Sequence, residues 1–220
     1  MKALFFDLDG TLIDINQREI EVIHDTANHF GLQVSKATVK QLCVQLPSYT
    51  DVFEEVGLNL TEKVIEYWTA AFVKRYHFST LREGVKSALE ALSKDNSMMC
   101  VTSRETPAEV SKELKFFGID ELFRHIVTRT VTAEHFGLTS LPLFPYHEQR
   151  RKLYQCALAV ARSNPGDTVA IGDMGRELRP ARELGIPTVG LITYEARKNE
   201  LQKSADFMIS DMTHLPNILR

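Results

Sequence analysis

Residues 2–14 have the sequence KALFFDLDGTLID, and this segment carries the clearest structural signal in the chain. The apolar run of residues 3–6 stops at Asp7, and Asp9 and Gly10 follow at once. A short apolar run that ends at a glycine is typical of a buried strand in a parallel sheet. On a continuing strand, residues two positions apart share a face. The segment therefore predicts a buried strand with a pair of carboxylates at its carboxyl end.

Beyond residue 80, predicted strands alternate with predicted helices. Apolar segments predict strands at 98–101, 125–128, 168–171, 187–191 and 207–209. The intervening patterns predict helices at 83–93, from Pro107 to the stop at Gly118, and at 147–162, 176–184 and 195–203, with a loop at 131–146. Alternating strands and helices indicate βαβ units and a parallel sheet. The predicted fold class is α/β, a doubly wound Rossmann-like parallel sheet.

The segment between these two regions has a different pattern. Ile20, Ile23, Ala27 and Phe30 recur at helical spacing, and Thr61 is placed to cap a later helix. No strand-like alternation is found between residues 16 and 78. We therefore expect a small, all-helical cap domain at 16–79, inserted into an α/β core formed by residues 1–15 and 80–220.

Composition excludes several classes of protein. The 220 residues are 44% hydrophobic and 25% charged, as is usual for globular proteins, and the net charge is 26 − 29 = −3. There is no basic excess to favour nucleic acid and no apolar run of the length that a membrane span needs. The three cysteines are widely spaced and form neither a disulfide framework nor a metal motif. We expect a cytoplasmic protein, a monomer or homodimer, that acts on a small molecule.

Polar side chains follow several of the predicted strands. In open parallel sheets, ligands bind at the carboxyl ends of the strands. Close carboxylates at such an edge repel one another and need a cation or a shared proton. Mg²⁺ suits a site built only from oxygen ligands beside a phosphate. The candidate side chains for this edge are those of Asp7, Asp9, Thr11, Thr102, Ser103, Asp173 and Glu177.

Four segments resemble motifs of the haloacid dehalogenase-like hydrolase superfamily. Residues 5–14 (FFDLDGTLID) resemble its first motif, and residues 99–103 (MCVTS) resemble its second. Residues 171–177 (IGDMGRE) are similar to the fourth motif, and residues 205–209 (ADFMI) to the strand that closes the core. The chain resembles the phosphatase branch of the superfamily, which has a helical cap after the first motif, and within that branch proteins similar to phosphoglycolate phosphatase.

The resemblance implies a role for each matching residue. Asp7 would be the nucleophile, and Asp9 would be the general acid and base, with its backbone carbonyl on the metal. Thr102 would hold the transferring phosphoryl group. Asp173 would bind Mg²⁺ directly or through water. From the residues themselves we also expect Asp7 and Glu177 to bind the ion, although the superfamily more often has aspartate at position 177. We likewise expect Gly10, Thr11 and Ser103 to contact the phosphate. An acid at position 9 is found in the phosphatases and phosphomutases of the superfamily.

The third motif of the superfamily departs from its usual form here. It normally supplies a lysine just before the helix that leads to the Gly-Asp strand, and that register falls on Glu148 in this chain. Arg150, Arg151 and Lys152 follow directly. We expect Lys152 to supply the missing cation, with Arg150 as the next candidate.

Together these patterns predict a magnesium-dependent phosphatase that hydrolyses a small phosphorylated metabolite through an aspartyl-phosphate. Two alternatives remain open. One is a phosphomutase acting on a sugar phosphate. The other is a catalytically weak member that binds a phosphorylated ligand or a protein partner.

Overall fold

The structure is a computed structural model that describes residues 2–46, 48–95, 97–102, 104, 106–142 and 145–219. It divides into two compact units, one of residues 1–13 and 81–220 and the other of residues 14–80. The larger unit contains a parallel sheet and the smaller one contains helices. The chain passes between the units through the short strands Ile13–Asp14 and Thr80–Leu81.

The described residues of the larger unit form a six-stranded parallel sheet. Its strands in chain order are β1 (Ala3–Phe6), β2 (Ser97–Val101), β3 (His125–Val127), β4 (Thr168–Gly172), β5 (Thr188–Leu191) and β6 (Phe207–Ile209). Their spatial order is β3-β2-β1-β4-β5-β6. This order is that of a doubly wound nucleotide-binding sheet, whose ligand crevice lies where the strand order reverses beside β1. The predicted α/β fold class is confirmed.

The strand register determines which residues meet at the carboxyl edge. Phe6 pairs with Cys100 on one side and with Ile171 on the other. Asp7 therefore lies level with the last residues of β2 and β4, Val101 and Gly172. The β1 side chains of Leu4, Phe5 and Phe6 are completely buried, as expected for a central strand covered on both faces.

Helices cover the sheet, and the residues at the start of one of them are typical of a helix N-terminus. The helix Pro107–Phe116 begins with proline in its first turn and with a reciprocal capping box between Thr106 and Glu109. The helices of the larger unit are Val85–Ser93, Pro107–Phe116, Arg129–His135, Tyr146–Ala161, Gly175–Glu183, Glu195–Ser204 and Leu215–Ile218, with 3₁₀ turns at Asp120–Leu122, Pro165–Asp167 and Met212–His214.

Within the described residues of the smaller unit, the regular secondary structure is helical apart from the connecting strand ends, and turns and loops join the helices. Thr61 accepts a hydrogen bond from the Val64 N–H and so caps a helix, as its position in the sequence predicts. Val39, Phe53 and Val64 form part of the apolar core of the unit. Its helices are Asn16–His29, Lys36–Gln45, Tyr49–Glu55 and Glu62–Lys74, followed by a 3₁₀ turn at Tyr76–Phe78.

Two seven-residue helices differ from the sequence prediction, as does the four-residue helix Leu215–Ile218. Arg129–His135 enters the segment 131–146 that was predicted to be a loop, and Tyr49–Glu55 was not predicted. Each has seven residues. A helix of about two turns is too short to show a helical repeat of apolar residues in the sequence. The formation of these helices therefore depends on tertiary packing. Within the part of the chain that the structure describes, none of the helices has the length and apolar composition of a membrane span.

Candidate active site

Three buried carboxylates converge at the carboxyl edge of the sheet. Asp7 follows β1, Asp173 follows β4, and Glu177 lies in the first turn of the helix Gly175–Glu183. One oxygen atom from each lies within 4.8 Å of the others. All three residues are at least nine-tenths buried. The strand order places the first two, and the tight β4–helix connection places the third.

A sharp turn after Asp7 brings the backbone of Gly10 close to the Asp173 carboxylate of the same cluster. Gly10 has a φ of +87°, and a Cβ atom at this position would lie 2.6 Å from Oδ2 of Asp173. Only glycine fits a site with both this backbone conformation and this lack of space. The Thr11 hydroxyl lies 3.3 Å from Oδ2 of Asp7 and 3.3 Å from Oδ1 of Asp173. Thr11 therefore lies between the two carboxylates, although its single proton can be donated to only one of them at a time.

The electrostatics of the cluster favour a cation. Burial, and then the neighbouring Glu177, raise the pKa of Asp7 well above its usual value, and Arg150 only partly opposes this. The same two causes raise the pKa of Asp173 to about 6, against the effects of Arg197 and Arg82. Both shifts therefore come first from burial and then from the neighbouring carboxylate, and the nearby arginines do not offset these two effects.

The carboxylate oxygens of the cluster are the kind of ligand that a hard divalent cation prefers. The Tyr146 hydroxyl donates a hydrogen bond of 2.7 Å to Oε1 of Glu177. No described residue donates a hydrogen bond to the buried Oε2 of Glu177. A buried carboxylate oxygen without a donor is costly unless it meets a cation. Asp7, Asp173 and Glu177 could therefore hold a metal ion, and oxygen ligands of this type suit Mg²⁺.

A buried arginine also contacts Asp7. Nη1 of Arg150 is 3.3 Å from Oδ1 of Asp7, and Nη2 donates a hydrogen bond of 3.3 Å to the Tyr154 hydroxyl. Arg150 has no exposed surface. Lys152, the residue expected at this position, instead places its Nζ 5.9 Å from the centre of the Phe136 ring. Helical residues two apart face different directions, so Arg150 and Lys152 could not both reach Asp7.

Asp9 lies outside the carboxylate cluster and is bound by an arginine. Arg104 donates from Nε to Oδ2 of Asp9 at 2.7 Å and from Nη2 to Oδ1 at 2.5 Å. Nη1 of Arg104 donates to Oε2 of Glu113 at 2.7 Å. The expected metal contact of Asp9, through its backbone carbonyl, stays a prediction.

The second predicted motif contributes a buried hydroxyl. Thr102 follows β2 and its Oγ1 accepts a hydrogen bond of 3.3 Å from the Arg104 N–H. Its own N–H donates to the Val127 carbonyl at 3.0 Å, which fixes the end of β2 against β3. Ser103, the other hydroxyl expected here, lies outside the described residues.

Four residues of the site were missed by sequence reasoning. Arg197 and Thr193 both donate to Oδ2 of Asp173, at 2.9 Å and 3.1 Å. Both lie after the end of β5. The rule that ligands bind at the carboxyl ends of parallel strands would therefore have identified them if it had been applied to this strand. Arg104, two residues after Thr102, satisfies the same rule. Tyr146 has no comparable signal, because its role depends on helix packing.

Comparisons with known proteins identify phosphatases among the relatives of this chain. Over 223 residues the chain is 26% identical to pyrophosphatase PpaX of Anoxybacillus flavithermus, with 100% of this chain and 97% of the relative covered. It is 24% identical to glyceraldehyde 3-phosphate phosphatase of Pyrococcus furiosus over 242 residues, covering 100% of this chain and 93% of the relative.

A solved structure has the same fold. A haloacid dehalogenase-like family hydrolase from Streptococcus pneumoniae superposes with a TM-score of 0.77 at 19% identity, covering 100% of this chain and 99% of that one. The sequence model of the haloacid dehalogenase-like hydrolases matches residues 4–191, a span that includes Asp7, Asp9, Asp173 and Glu177. The chain belongs to the haloacid dehalogenase-like hydrolase family.

Proposed function

We propose that this protein is a magnesium-dependent phosphatase that transfers the phosphoryl group of a small phosphorylated metabolite to water through Asp7. The observation that carries the proposal is that Asp7 lies close to charges of both signs. One oxygen atom each of Asp7, Asp173 and Glu177 lies within 4.8 Å of the others. The buried guanidinium of Arg150 lies 3.3 Å from the Asp7 carboxylate.

The first step of the proposed reaction is attack by a carboxylate oxygen of Asp7 on phosphorus. The bond from phosphorus to the leaving oxygen breaks as the aspartyl-phosphate forms. The Asp9 carboxyl donates its proton to the leaving oxygen. In the second step Asp9 takes a proton from water as the water attacks phosphorus. The bond to Asp7 then breaks, inorganic phosphate leaves, and both aspartates return to their starting states.

The charged residues around Asp7 match the needs of phosphoryl transfer, which depends mainly on positioning and charge neutralisation. We propose that Arg150 neutralises the nucleophile and the phosphoryl oxygens, the role that the sequence assigned to Lys152. Asp7, Asp173 and Glu177 would hold Mg²⁺. When bound, the ion would reduce the repulsion between the Asp7 carboxylate and the phosphoryl oxygens. Thr102, Thr11 and Gly10 are proposed to contact the phosphoryl group, as is Ser103.

Two of the relatives are named for phosphorylated substrates of low molecular weight, pyrophosphate and glyceraldehyde 3-phosphate. Their names support a small phosphorylated substrate for this chain. We propose that the helical unit of residues 14–80 acts as a cap that selects among such substrates, because it is inserted directly after the segment that carries Asp7 and Asp9.

The proposal is tested with 4-nitrophenyl phosphate, with and without Mg²⁺, for the wild type and the Asp7→Asn variant. We expect turnover that depends on the metal and falls at least about a thousandfold in the variant, since a carboxamide cannot replace the nucleophile. Asparagine has almost the same volume as aspartate, so a melting curve should show that the variant is folded. Turnover that persists in Asp7→Asn would overturn the proposed mechanism. A panel of sugar phosphates then separates hydrolysis from transfer to a second sugar.

A further inference from the structure

Arg104 binds Asp9 with a two-point contact. Its Nε and Nη2 atoms each donate to a different carboxylate oxygen of Asp9, at 2.7 Å and 2.5 Å. The side chain of Arg104 is 6% exposed and that of Asp9 is 24% exposed. A contact through both oxygens fixes the plane of the carboxylate as well as its distance, which a contact through one oxygen does not.

Arg104 makes further hydrogen bonds through both its guanidinium and its backbone. Its Nη1 donates to Oε2 of Glu113 at 2.7 Å, and the Glu113 side chain is only 2% exposed. Its backbone N–H donates to Oγ1 of Thr102 at 3.3 Å. Its carbonyl accepts from the Arg129 N–H at 3.0 Å. The backbone of Arg104 is therefore fixed through its N–H and its carbonyl, and its guanidinium is held by Glu113 as well as by Asp9.

We propose that Arg104 is the positioning residue that aims the Asp9 carboxyl at the leaving-group oxygen, with Glu113 holding Arg104 in place. This inference rests on the proposed phosphatase function and adds to it a residue that acts through Asp9. The geometry requires arginine, because the ammonium of lysine is a point charge and cannot bind two oxygens and a second carboxylate in one plane.

The effect of Arg104 on the reaction depends on the leaving group. An alkoxide is a poor leaving group and must receive the Asp9 proton as its bond to phosphorus breaks. A nitrophenolate leaves without that proton. A misdirected Asp9 therefore slows the first step for an alkyl phosphate and spares it for a nitrophenyl phosphate. The ratio kcat/KM reports steps up to departure of the leaving group, so it isolates this effect from the later attack by water.

The test compares benzyl phosphate with 4-nitrophenyl phosphate, two substrates that carry a similar ring and differ in leaving group. The variants are Arg104→Lys and Glu113→Gln. The control is Arg179→Lys, in which an exposed arginine that pairs with Glu183 undergoes the same exchange. In Arg104→Lys we expect the ratio of kcat/KM for benzyl to that for nitrophenyl phosphate to fall at least about tenfold. Glu113→Gln should lower it by a smaller factor, and the control should leave it unchanged.

Each other outcome overturns a defined part of the proposal. An equal loss of kcat/KM for both substrates would mean that Arg104 supports the scaffold or binds phosphate. Unchanged kcat/KM for both substrates, or a ratio that rises, would mean that Arg104 does not act through Asp9. If Arg104→Lys does not fold, Glu113→Gln decides, since that variant keeps the arginine. A wild type that hydrolyses neither substrate would overturn the proposed function first and this inference with it.

Discussion

The guanidinium of Arg150 lies 3.3 Å from the Asp7 carboxylate, although the two residues are 143 positions apart in the sequence. Arg150 reaches Asp7 from the helix Tyr146–Ala161, which packs on the sheet against β2 and β3. The contact is fully buried on the arginine side. Burial makes it electrostatically strong and also makes it costly to break, because the partner left behind would be an uncompensated charge.

Replacing Arg150 should affect activity far more than replacing Lys152. We expect Arg150→Met to lower kcat/KM for an aryl phosphate at least about a hundredfold, the effect of removing one pre-organised donor to a developing charge. Lys152→Met should stay within about twofold, because its ammonium lies over Phe136. Steady-state kinetics together with melting curves separate loss of activity from loss of fold. A larger loss in Lys152→Met would restore the assignment made from the sequence.

Substitution of Gly10 should disturb the carboxylate cluster through Asp173. In Gly10→Ala the new methyl group would meet the Asp173 carboxylate, with Oδ2 only 2.6 Å away. We expect a stability loss of about 1–3 kcal/mol from the strained backbone, and weaker Mg²⁺ binding because Asp173 must move.

Gly137→Ala is the matched control for this variant. Gly137 has a φ of +65°, and no atom of the described residues lies within 4 Å of the place that an alanine methyl group would take. Gly137→Ala should therefore lose stability through the strained backbone and keep its affinity for Mg²⁺. Chemical denaturation measures the first quantity and calorimetric titration with Mg²⁺ measures the second. Equal metal affinity in the two variants would contradict the close approach of Gly10 to Asp173.

Glu177 should be required for metal binding even in the absence of substrate. We expect Glu177→Gln to weaken Mg²⁺ binding at least about tenfold, the size of effect that even outer partners of a metal ligand produce. Glu148→Gln removes the same charge from an exposed position on another helix and should leave affinity unchanged. Isothermal titration calorimetry measures both dissociation constants without reference to activity. Identical values for the two variants would exclude Glu177 from the metal site.

The stability of the metal-free protein should fall as the pH rises towards neutrality. Because the pKa of Asp7 and of Asp173 is raised in the folded state, the folded protein binds more protons than the unfolded chain. The stabilisation from these protons is complete below the ordinary aspartate pKa of about 3.9 and is lost as the pH rises through about 6, the pKa of Asp173.

Melting temperatures measured with a chelator or with excess Mg²⁺ check this dependence. From about pH 5 to about pH 7 the metal-free protein should lose stability, and Mg²⁺ should restore more of it at the higher pH because it replaces the lost protons. Asp173→Asn should show a shallower dependence than the wild type. A metal-free melting temperature that rises across this interval would contradict the shifted pKa values.

Much of the site follows from local sequence because it is built at the ends of strands. Apolar runs mark β1 and β4, and each is followed by its carboxylate, Asp7 and Asp173. Parallel pairing then carries both to one edge without any detail of side-chain packing. The short helices Arg129–His135 and Tyr49–Glu55 show where local pattern stops, since seven residues contain too few apolar positions to display a period.

The amino-acid sequence was sufficient for the α/β class, for the acidic edge and for the family to which the chain belongs. The partners of those acids were decided only by tertiary structure. Arg150 rather than Lys152 faces Asp7 because of the rotation of one packed helix, and Arg104 reaches Asp9 across 95 positions of sequence. Strand ends are specified by residues adjacent in the chain, whereas the direction of a side chain from a packed helix or a connecting loop depends on contacts distant in the sequence.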